Sequence, residues 1–272
     1  MHINSSTEIY GIIGNPVAHS LSPIMHNSGF EALGLNKVYV AFHATDAEKA
    51  LDGCRALGVQ GLSVTIPHKE AVLAHLDSID PVAEKIGAVN TLIFDKDKKI
   101  HGLNTDWIGA NMALADKLDL QGKRILLLGA GGSAKAIGFG LLEAGAHVTL
   151  ASRTESKVKR LGETLACDWI HLAEIDTVQA DALVNATSVG MRPLESASLV
   201  AADSLAKFPV VMDIVYDPLE TKLLREAKDA GCEVINGLSM LLYQGAAQFE
   251  AWTGLDAPVE VMRAALMDMI AQ

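Results

Sequence analysis

The stretch ILLLGAGGSAKA, residues 125–136, constrains this chain more than any other. Four apolar residues, Ile125 to Leu128, run into a glycine-rich turn, and a helix-forming segment follows at once. An apolar strand, a glycine turn and a helix opening on that turn form the first half of a βαβ unit. The physics is backbone access: Gly129 permits the tight turn, while Gly131 and Gly132 let the chain approach an anion. Amides at the start of the helix face that anion, which is how a G-x-G-x-x-G loop holds a dinucleotide pyrophosphate. Ala134 stands where the third glycine is usual, a tolerated change because that position governs helix–strand packing.

The strand that follows, HVTLASRT, carries the next information. A site for NAD expects Asp or Glu at its end, about 20 residues past the first glycine, to hold the ribose 2′-hydroxyl. Here Ala151 and Ser152 are followed by Arg153 and Thr154, with Lys157 close behind. A guanidinium binds a 2′-phosphate through charge-assisted hydrogen bonds, whereas a carboxylate would repel it. The residues therefore favour NADP.

The loop lies almost halfway along 272 residues, so the preceding half needs its own account. It alternates: strand EIYGIIG, a helix from Ser22 (as N-cap, with Pro23 at the first helical position) toward Gly34, and strand VYVAFHA. Next come a helix with Thr45 and Glu48 as capping box and the strand GLSVTIP. This β-α-β-α-β rhythm implies a mostly parallel sheet covered by helices. AVNTLIFDKDKKIHGL reads as two strands around a polar turn that close this sheet.

A helix over 106–118 leads into the second alternation. After HVTLAS come a charged helix from Glu155, strands ADALVNAT and VVMDIVY, a helix ending at Gly231 and a short strand CEVING. Two apolar helices, about 238–252 and 259–270, finish the chain. The expected fold class is therefore α/β. An N-terminal substrate domain over 1–105 precedes a Rossmann-type, doubly wound dinucleotide domain over 106–237. The tail from 238 is too apolar to float free.

Composition excludes other classes. Half the residues are hydrophobic, so a sizeable core forms. The formal charge is −11 with no basic block, which argues against a nucleic-acid partner. Apolar runs break well before the roughly 18 residues of a membrane span, and the start lacks signal-peptide character. Cys54, Cys167 and Cys232 are dispersed and odd in number, which suits a reducing cytoplasm and neither a disulfide framework nor a zinc site. Nine scattered histidines without H-E-x-x-H give no metal site.

Candidate chemistry clusters where strands of the first half end. Ligands sit at strand C-termini in open α/β sheets, which places Thr65 and Lys69 of SVTIPHKE for function. Lys69 is suited to deliver a proton to a carbonyl oxygen, with Asp106 of GLNTDWIG orienting the ammonium. The bland alternatives are a solvated lysine and a helix cap. Ser20 and Ser22, two hydroxyls two residues apart, are suited to grip a carboxylate. Asn90 is a polar residue in an apolar strand that needs partners, and a substrate hydroxyl is one candidate. His68 and His101 read as structural or solvated.

Taken in order, GNPVAHSLSPIMHN, SVTIPHKE, GAVNTL, GLNTDWIG, LLLGAGGSAKA, VNATSVGM and INGLSMLLYQGAAQFEAWTG resemble the successive motifs of shikimate dehydrogenases across nearly the whole chain. The resemblance implies NADPH-dependent, reversible reduction of 3-dehydroshikimate to shikimate, with Lys69 and Asp106 as the catalytic pair. It implies that Ser20 and Ser22 hold the substrate carboxylate, that Thr65, Asn90 and Gln244 bind ring hydroxyls, and that Tyr216 lies near the substrate. Gly129, Ala130, Gly131, Gly132, Ser133 and Ala134, with Ser152, Arg153, Thr154 and Lys157, would hold the phosphates and adenosine of NADP. Gly237 and Met240 would approach the nicotinamide, and residues 238–272 would return to the first domain. The implied protein is a cytoplasmic monomer or homodimer with a small-molecule substrate, no metal, no nucleic acid and no membrane. The chain departs from the commonest pattern at Ser152 (often Asn), His68 (often Phe) and Lys222 (often Pro). A dehydrogenase that also takes quinate or NAD, and an NADP-binding sensor without chemistry, remain the alternatives.

Overall fold

The computed structural model describes residues 2–270, which form two compact units. One comprises the chain up to Thr105 together with residues from Leu242 on; the other runs from Asp106 to Leu241.

The first unit contains β1 (Glu8–Gly14), α1 (Ser22–Ala32), β2 (Lys37–His43), α2 (Ala47–Leu57) and β3 (Gly61–Val64). β4 (Ser78–Ile79), α3 (Pro81–Ile86), β5 (Thr91–Phe94) and β6 (Ile100–Leu103) follow. The sheet order is β2-β1-β3-β5-β6-β4. β1 is parallel to both β2 and β3, whereas β5 runs antiparallel to β3 and β6. The expected hairpin forms but does not close the sheet, because β4 adds a parallel edge on β6. Two residues are too few to show a period in the sequence.

β1 is buried on both faces, and its side chains divide by the two-residue period of a strand. Tyr10 and Ile12 join a cluster with Phe30 of α1, Tyr39 and Phe249. Ile13 joins the opposite cluster with Leu51 of α2, Leu62, Leu92 and Ile100.

Both helix caps differ from the sequence expectation. α2 is capped by Asp46, whose carboxylate accepts from the Lys49 amide at 3.1 Å, not by Thr45. The helix starts at Ala47, so Asp46 is the residue with extended backbone at the cap position. In α1 the cap position is Leu21, and Ser22 is already helical and makes no side-chain cap.

The second unit contains α4 (Asp106–Ala115), β7 (Arg124–Leu128), α5 (Gly132–Glu143), β8 (His147–Ser152), α6 (Glu155–Leu165) and β9 (Asp168–His171). It continues with β10 (Ala182–Asn185), α7 (Ala202–Leu205), β11 (Val210–Asp213), α8 (Lys222–Asp229) and β12 (Glu233–Ile235). All pairs are parallel, in the order β12-β11-β10-β7-β8-β9. Read from β9, this is the 3-2-1-4-5-6 arrangement of a doubly wound dinucleotide-binding fold. The order reverses between β7 and β10, so the switch point lies beside the glycine loop. β9 was not expected: CDWIH carries one short alternation between two polar segments.

α9 (Gly237–Thr253) and α10 (Val259–Ile270) end the chain. In the first unit, a Cβ on Gly29 of α1 would lie 3.0 Å from the Phe249 ring and 3.4 Å from Met262. One on Gly245 would lie 2.1 Å from Met25 Cε. Glycines on α1 and α9 thus let these helices approach until backbone meets side chain, burying the apolar face the sequence left without a partner.

Candidate active site

Four candidate side chains of the first unit, Ser20, Ser22, Thr65 and Lys69, follow the ends of β1 and β3. A Cβ on Gly14 would lie 2.3 Å from Thr65 Cγ2, so the glycine is needed for Thr65 to sit against β1. The Asn15 amide donates to the Ile66 carbonyl at 2.9 Å and joins the two loops. In the loop after β1, Ser20 N donates to Val17 O at 3.0 Å and Ser22 N to Ser20 Oγ at 3.3 Å. The two hydroxyls therefore belong to one tight turn at the mouth of α1. Ser22, a buried residue, does not cap the helix, so its hydroxyl is left for another role.

Lys69 is partly buried. Its carbonyl accepts from Val89 N at 2.8 Å, and His68 Nε2 meets the Ala44 carbonyl at 2.7 Å. The loop carrying Lys69 is thus tied on both sides, and His68 has a structural role. His101 pairs with Asp95 at 2.9 Å on the hairpin.

Asn90 precedes β5 and is 2 % exposed. Its Nδ2 donates to Thr105 Oγ1 at 3.0 Å and to Gln244 Oε1 at 3.3 Å. Its Oδ1 accepts from Thr105 N at 2.8 Å and Thr91 Oγ1 at 2.7 Å. Gln248 Nε2 donates to the Asn90 carbonyl and to Thr91 Oγ1, both at 3.0 Å, and its Oε1 accepts from Ser63 Oγ at 2.8 Å. Two residues expected at one site, Asn90 and Gln244, are therefore brought together, 154 positions apart in sequence. Thr105, Thr91, Gln248 and Ser63 were not foreseen as their supports; buried polar residues inside apolar segments were the available signal.

His26, behind this network, is fully buried and stacked on Tyr39 at 4.5 Å between ring centroids. Neither ring nitrogen reaches a hydrogen-bond partner among the described residues; the Gln248 amide beside the ring bonds Ser63, Asn90 and Thr91. Burial holds its pKa down at about 3, and the neighbouring Gln248 amide pulls the other way.

In the second unit, Gly129 leaves β7 with φ +124°, a conformation that favours glycine, and a Cβ there would lie 3.1 Å from Ala186 O and Thr187 Cγ2. Gly131 occupies the cap position of α5 without a side-chain cap, so no side chain competes for the first amides of the helix. Gly132 and Ser133 begin that helix, and Ala134 is fully buried against the sheet, as its packing role requires. A pocket of about 200 Å³ opens there. One wall is Gly129, Ala130 and Gly131; a second is Ser152, Arg153, Thr154 and Lys157; Thr187 and Val189 form a third. Arg153 and Lys157 are exposed and the Thr154 amide donates to Ser152 Oγ at 3.3 Å. The cradle fits a dinucleotide phosphate: glycine backbone below and two cations at the rim, with no carboxylate among its lining residues. A wider depression of about 430 Å³ lies at the opposite strand ends, near His147 and Asp168, away from these amides.

Asp106, 4 % exposed, is the first residue of α4. Gly237 starts α9, where a Cβ would lie 2.3 Å from the Ile214 carbonyl oxygen. Met240 is buried and Tyr216 half-buried. Three polar residues not foreseen individually, Asn185, Thr187 and Asp213, link the ends of β10 and β11; each follows or ends an apolar strand, which was their only mark.

Family comparisons cover almost the whole chain. Residues 12–92 match the shikimate dehydrogenase substrate binding domain, 111–216 the shikimate/quinate 5-dehydrogenase family and 237–267 the shikimate 5′-dehydrogenase C-terminal domain. The shikimate dehydrogenase (NADP(+)) of Pyrococcus furiosus is 48 % identical over 96 % of both chains. That of Methanocaldococcus jannaschii is 43 % identical over 99 % of this chain and 100 % of its own. The Thermus thermophilus shikimate 5-dehydrogenase, solved in complex with NADP(H) and shikimate, superposes with a TM-score of 0.88. It is 40 % identical, over 96 % of this chain and 99 % of that one. With motifs, strand order and near-complete coverage in agreement, this chain belongs to the shikimate dehydrogenase family.

Proposed function

We propose that the chain is an NADP-dependent oxidoreductase that interconverts 3-dehydroshikimate and shikimate, a step toward aromatic amino acids. The observation that carries this is the glycine cradle with Arg153 and Lys157 at its rim, in a chain whose near-full-length relatives are named for that reaction. NADPH, when bound, supplies the hydride to the ring ketone. Gly129 to Ala134 hold the pyrophosphate on the α5 amides, Ser152, Arg153, Thr154 and Lys157 take the 2′-phosphate and adenosine, and Gly237 and Met240 flank the nicotinamide.

Ser20 and Ser22 hold the substrate carboxylate. Thr65, Asn90 and Gln244 bind ring hydroxyls, with Tyr216 beside them. Lys69 delivers the proton to the carbonyl oxygen as the C–H bond forms, and takes it back in the oxidative direction. Asp106 orients the ammonium. The network around Asn90 supports this reading, because an amide pinned by Thr91 and Thr105 presents a fixed face. In this reading residues 1–105 and 238–272 form the substrate domain and 106–237 the cofactor domain. The protein is read as a cytoplasmic monomer or homodimer; its three free thiols fit a reducing compartment.

The test is the purified protein with shikimate or quinate, each with NADP or NAD, followed at the nicotinamide absorbance. Turnover of shikimate with NADP as the preferred pair is expected. Turnover with quinate or NAD as the preferred pair would move the reading to a broader dehydrogenase. NADP binding without turnover would leave a sensor.

A further inference from the structure

Asp213, the last residue of β11, is fully buried, yet among the described residues no lysine, arginine or histidine pairs with it. Three donors converge on it instead. Asn185 Nδ2 donates to Oδ1 at 2.9 Å, Val215 N to the same oxygen at 3.0 Å, and Thr221 Oγ1 to Oδ2 at 2.8 Å. The charged residues near it in sequence are engaged elsewhere: Asp217 with Arg192, Glu220 with Lys228, Lys222 with Glu226. Burial pushes its carboxyl up to about 6, and the three hydrogen bonds pull the other way.

The donors lead to three different segments of this unit, and the one through Asn185 reaches the wall of the pocket. Asn185 Oδ1 accepts from Thr187 Oγ1 at 2.7 Å and from Thr187 N at 3.1 Å, and the Thr187 hydroxyl accepts from Val189 N at 3.1 Å. This turn sets the Thr187 methyl against Gly129 and, with Val189, forms one wall of the pocket. Val215 continues the strand end whose carbonyls crowd Gly237, with Ile214 O at 2.3 Å and Val215 O at 2.6 Å from the place of a Cβ. Thr221 caps α8 through Leu224 N and lies against Gly190. A buried acceptor-only group is costly, and an apolar residue would leave the Val215 amide and the Thr221 hydroxyl without this acceptor and Asn185 Nδ2 with the Val189 carbonyl alone.

We propose that Asp213 is a positioning residue for the dinucleotide. Through Asn185 it sets Thr187 beneath Gly129, and through Val215 it sets the backbone that receives Gly237. One carboxylate thereby fixes the spacing between the pyrophosphate and nicotinamide ends of the cofactor site. The inference rests on the NADP reading above and goes beyond it, since Asp213 touches neither cofactor nor substrate in that reading. A carboxylate that merely stapled β11 to α8 would need only the Thr221 bond.

The experiment compares the full chain with Asp213→Ala, Asp213→Asn and Asn185→Ala. NADPH binding is measured by fluorescence titration, and KM for NADP and for shikimate at pH 8. Asp213→Ala is expected to raise the NADPH Kd and NADP KM about tenfold or more. The shikimate KM should stay within about twofold. Asp213→Asn should restore most of the loss: its carbonyl still accepts from Asn185 and Val215, and its NH₂ can donate to Thr221. Asn185→Ala, which cuts only the branch to Thr187, should weaken NADPH without moving the shikimate KM; it decides the matter if Asp213→Ala does not fold. Wild-type NADPH affinity in Asp213→Ala or Asn185→Ala, or a parallel rise in both KM values, would overturn the proposal. A wild-type chain that bound no NADPH would overturn the functional reading itself.

Discussion

At the scale of single residues, chemistry and scaffold separate cleanly for Ser22. The sequence offered it two roles, helix cap or carboxylate ligand, and the structure removes the first. Ser22→Ala is therefore predicted to raise the substrate KM while α1 stays folded. A melting temperature that dropped sharply with KM unchanged would return Ser22 to a structural role. Lys69→Ala should lower kcat by about a hundredfold or more with a modest change in KM, the scale of losing a general acid–base group. Near-normal turnover in that variant would remove Lys69 from the mechanism. Arg153 stands exposed at the pocket rim, so Arg153→Asp should weaken NADPH about tenfold more than NADH. Titrating both cofactors checks it, and equal losses would undo the 2′-phosphate assignment.

At the scale of elements, glycines decide which segments meet. Gly14 admits Thr65, Gly129 admits Thr187, and Gly237 admits the Ile214 carbonyl. The last contact is with backbone, which cannot swing away as a side-chain end can. Gly237→Ala is therefore predicted to cost roughly 1–3 kcal/mol, the usual penalty of overpacking. Urea denaturation of the full chain measures it, and an unchanged midpoint would show that the α9 start has slack. Gly245 is the instructive contrast, since its nearest neighbour is the flexible end of Met25.

At the scale of the whole molecule, two buried titratable groups pull stability in opposite directions. His26 has a folded pKa of about 3 against an ordinary 6.5, so below pH 6.5 the unfolded chain binds the extra proton. Its contribution is complete above pH 6.5 and drains away as pH falls toward 3, by roughly 4–5 kcal/mol. Asp213 has a folded pKa of about 6 against 3.8, so between these values the folded chain binds the extra proton. Stability then falls as pH rises through that window, by roughly 3 kcal/mol. The two slopes partly cancel between pH 4 and 6. Melting temperature against pH should therefore fall more steeply on acidification in Asp213→Asn and less steeply in His26→Leu than in the wild type. Parallel profiles for all three proteins would mean that neither group titrates as its burial implies.

Much of this molecule was legible in the order of its residues. The glycine loop, the strand before it and the βαβ spacing mark the second sheet, because backbone approach to a phosphate demands those residues at that spacing. The alternation of the first half marks a largely parallel sheet for the same kind of local reason. β4 and β9 were not legible, since two and four residues are too short to display a period, and the true cap of α2 was hidden beside an equally good capping sequence. Asn90 and Gln244 could be named one by one, but not their bond, nor Gln248 and Thr105 beneath them. Local sequence determined where the chain turns, which faces are apolar and which side chains carry charge, because those depend on neighbours a few positions away. Which polar groups share a bond across some 150 positions, and which carboxyl is stripped of water, was decided only by the tertiary fold: hydrogen bonding and desolvation depend on distance in space, which no spacing along the chain encodes.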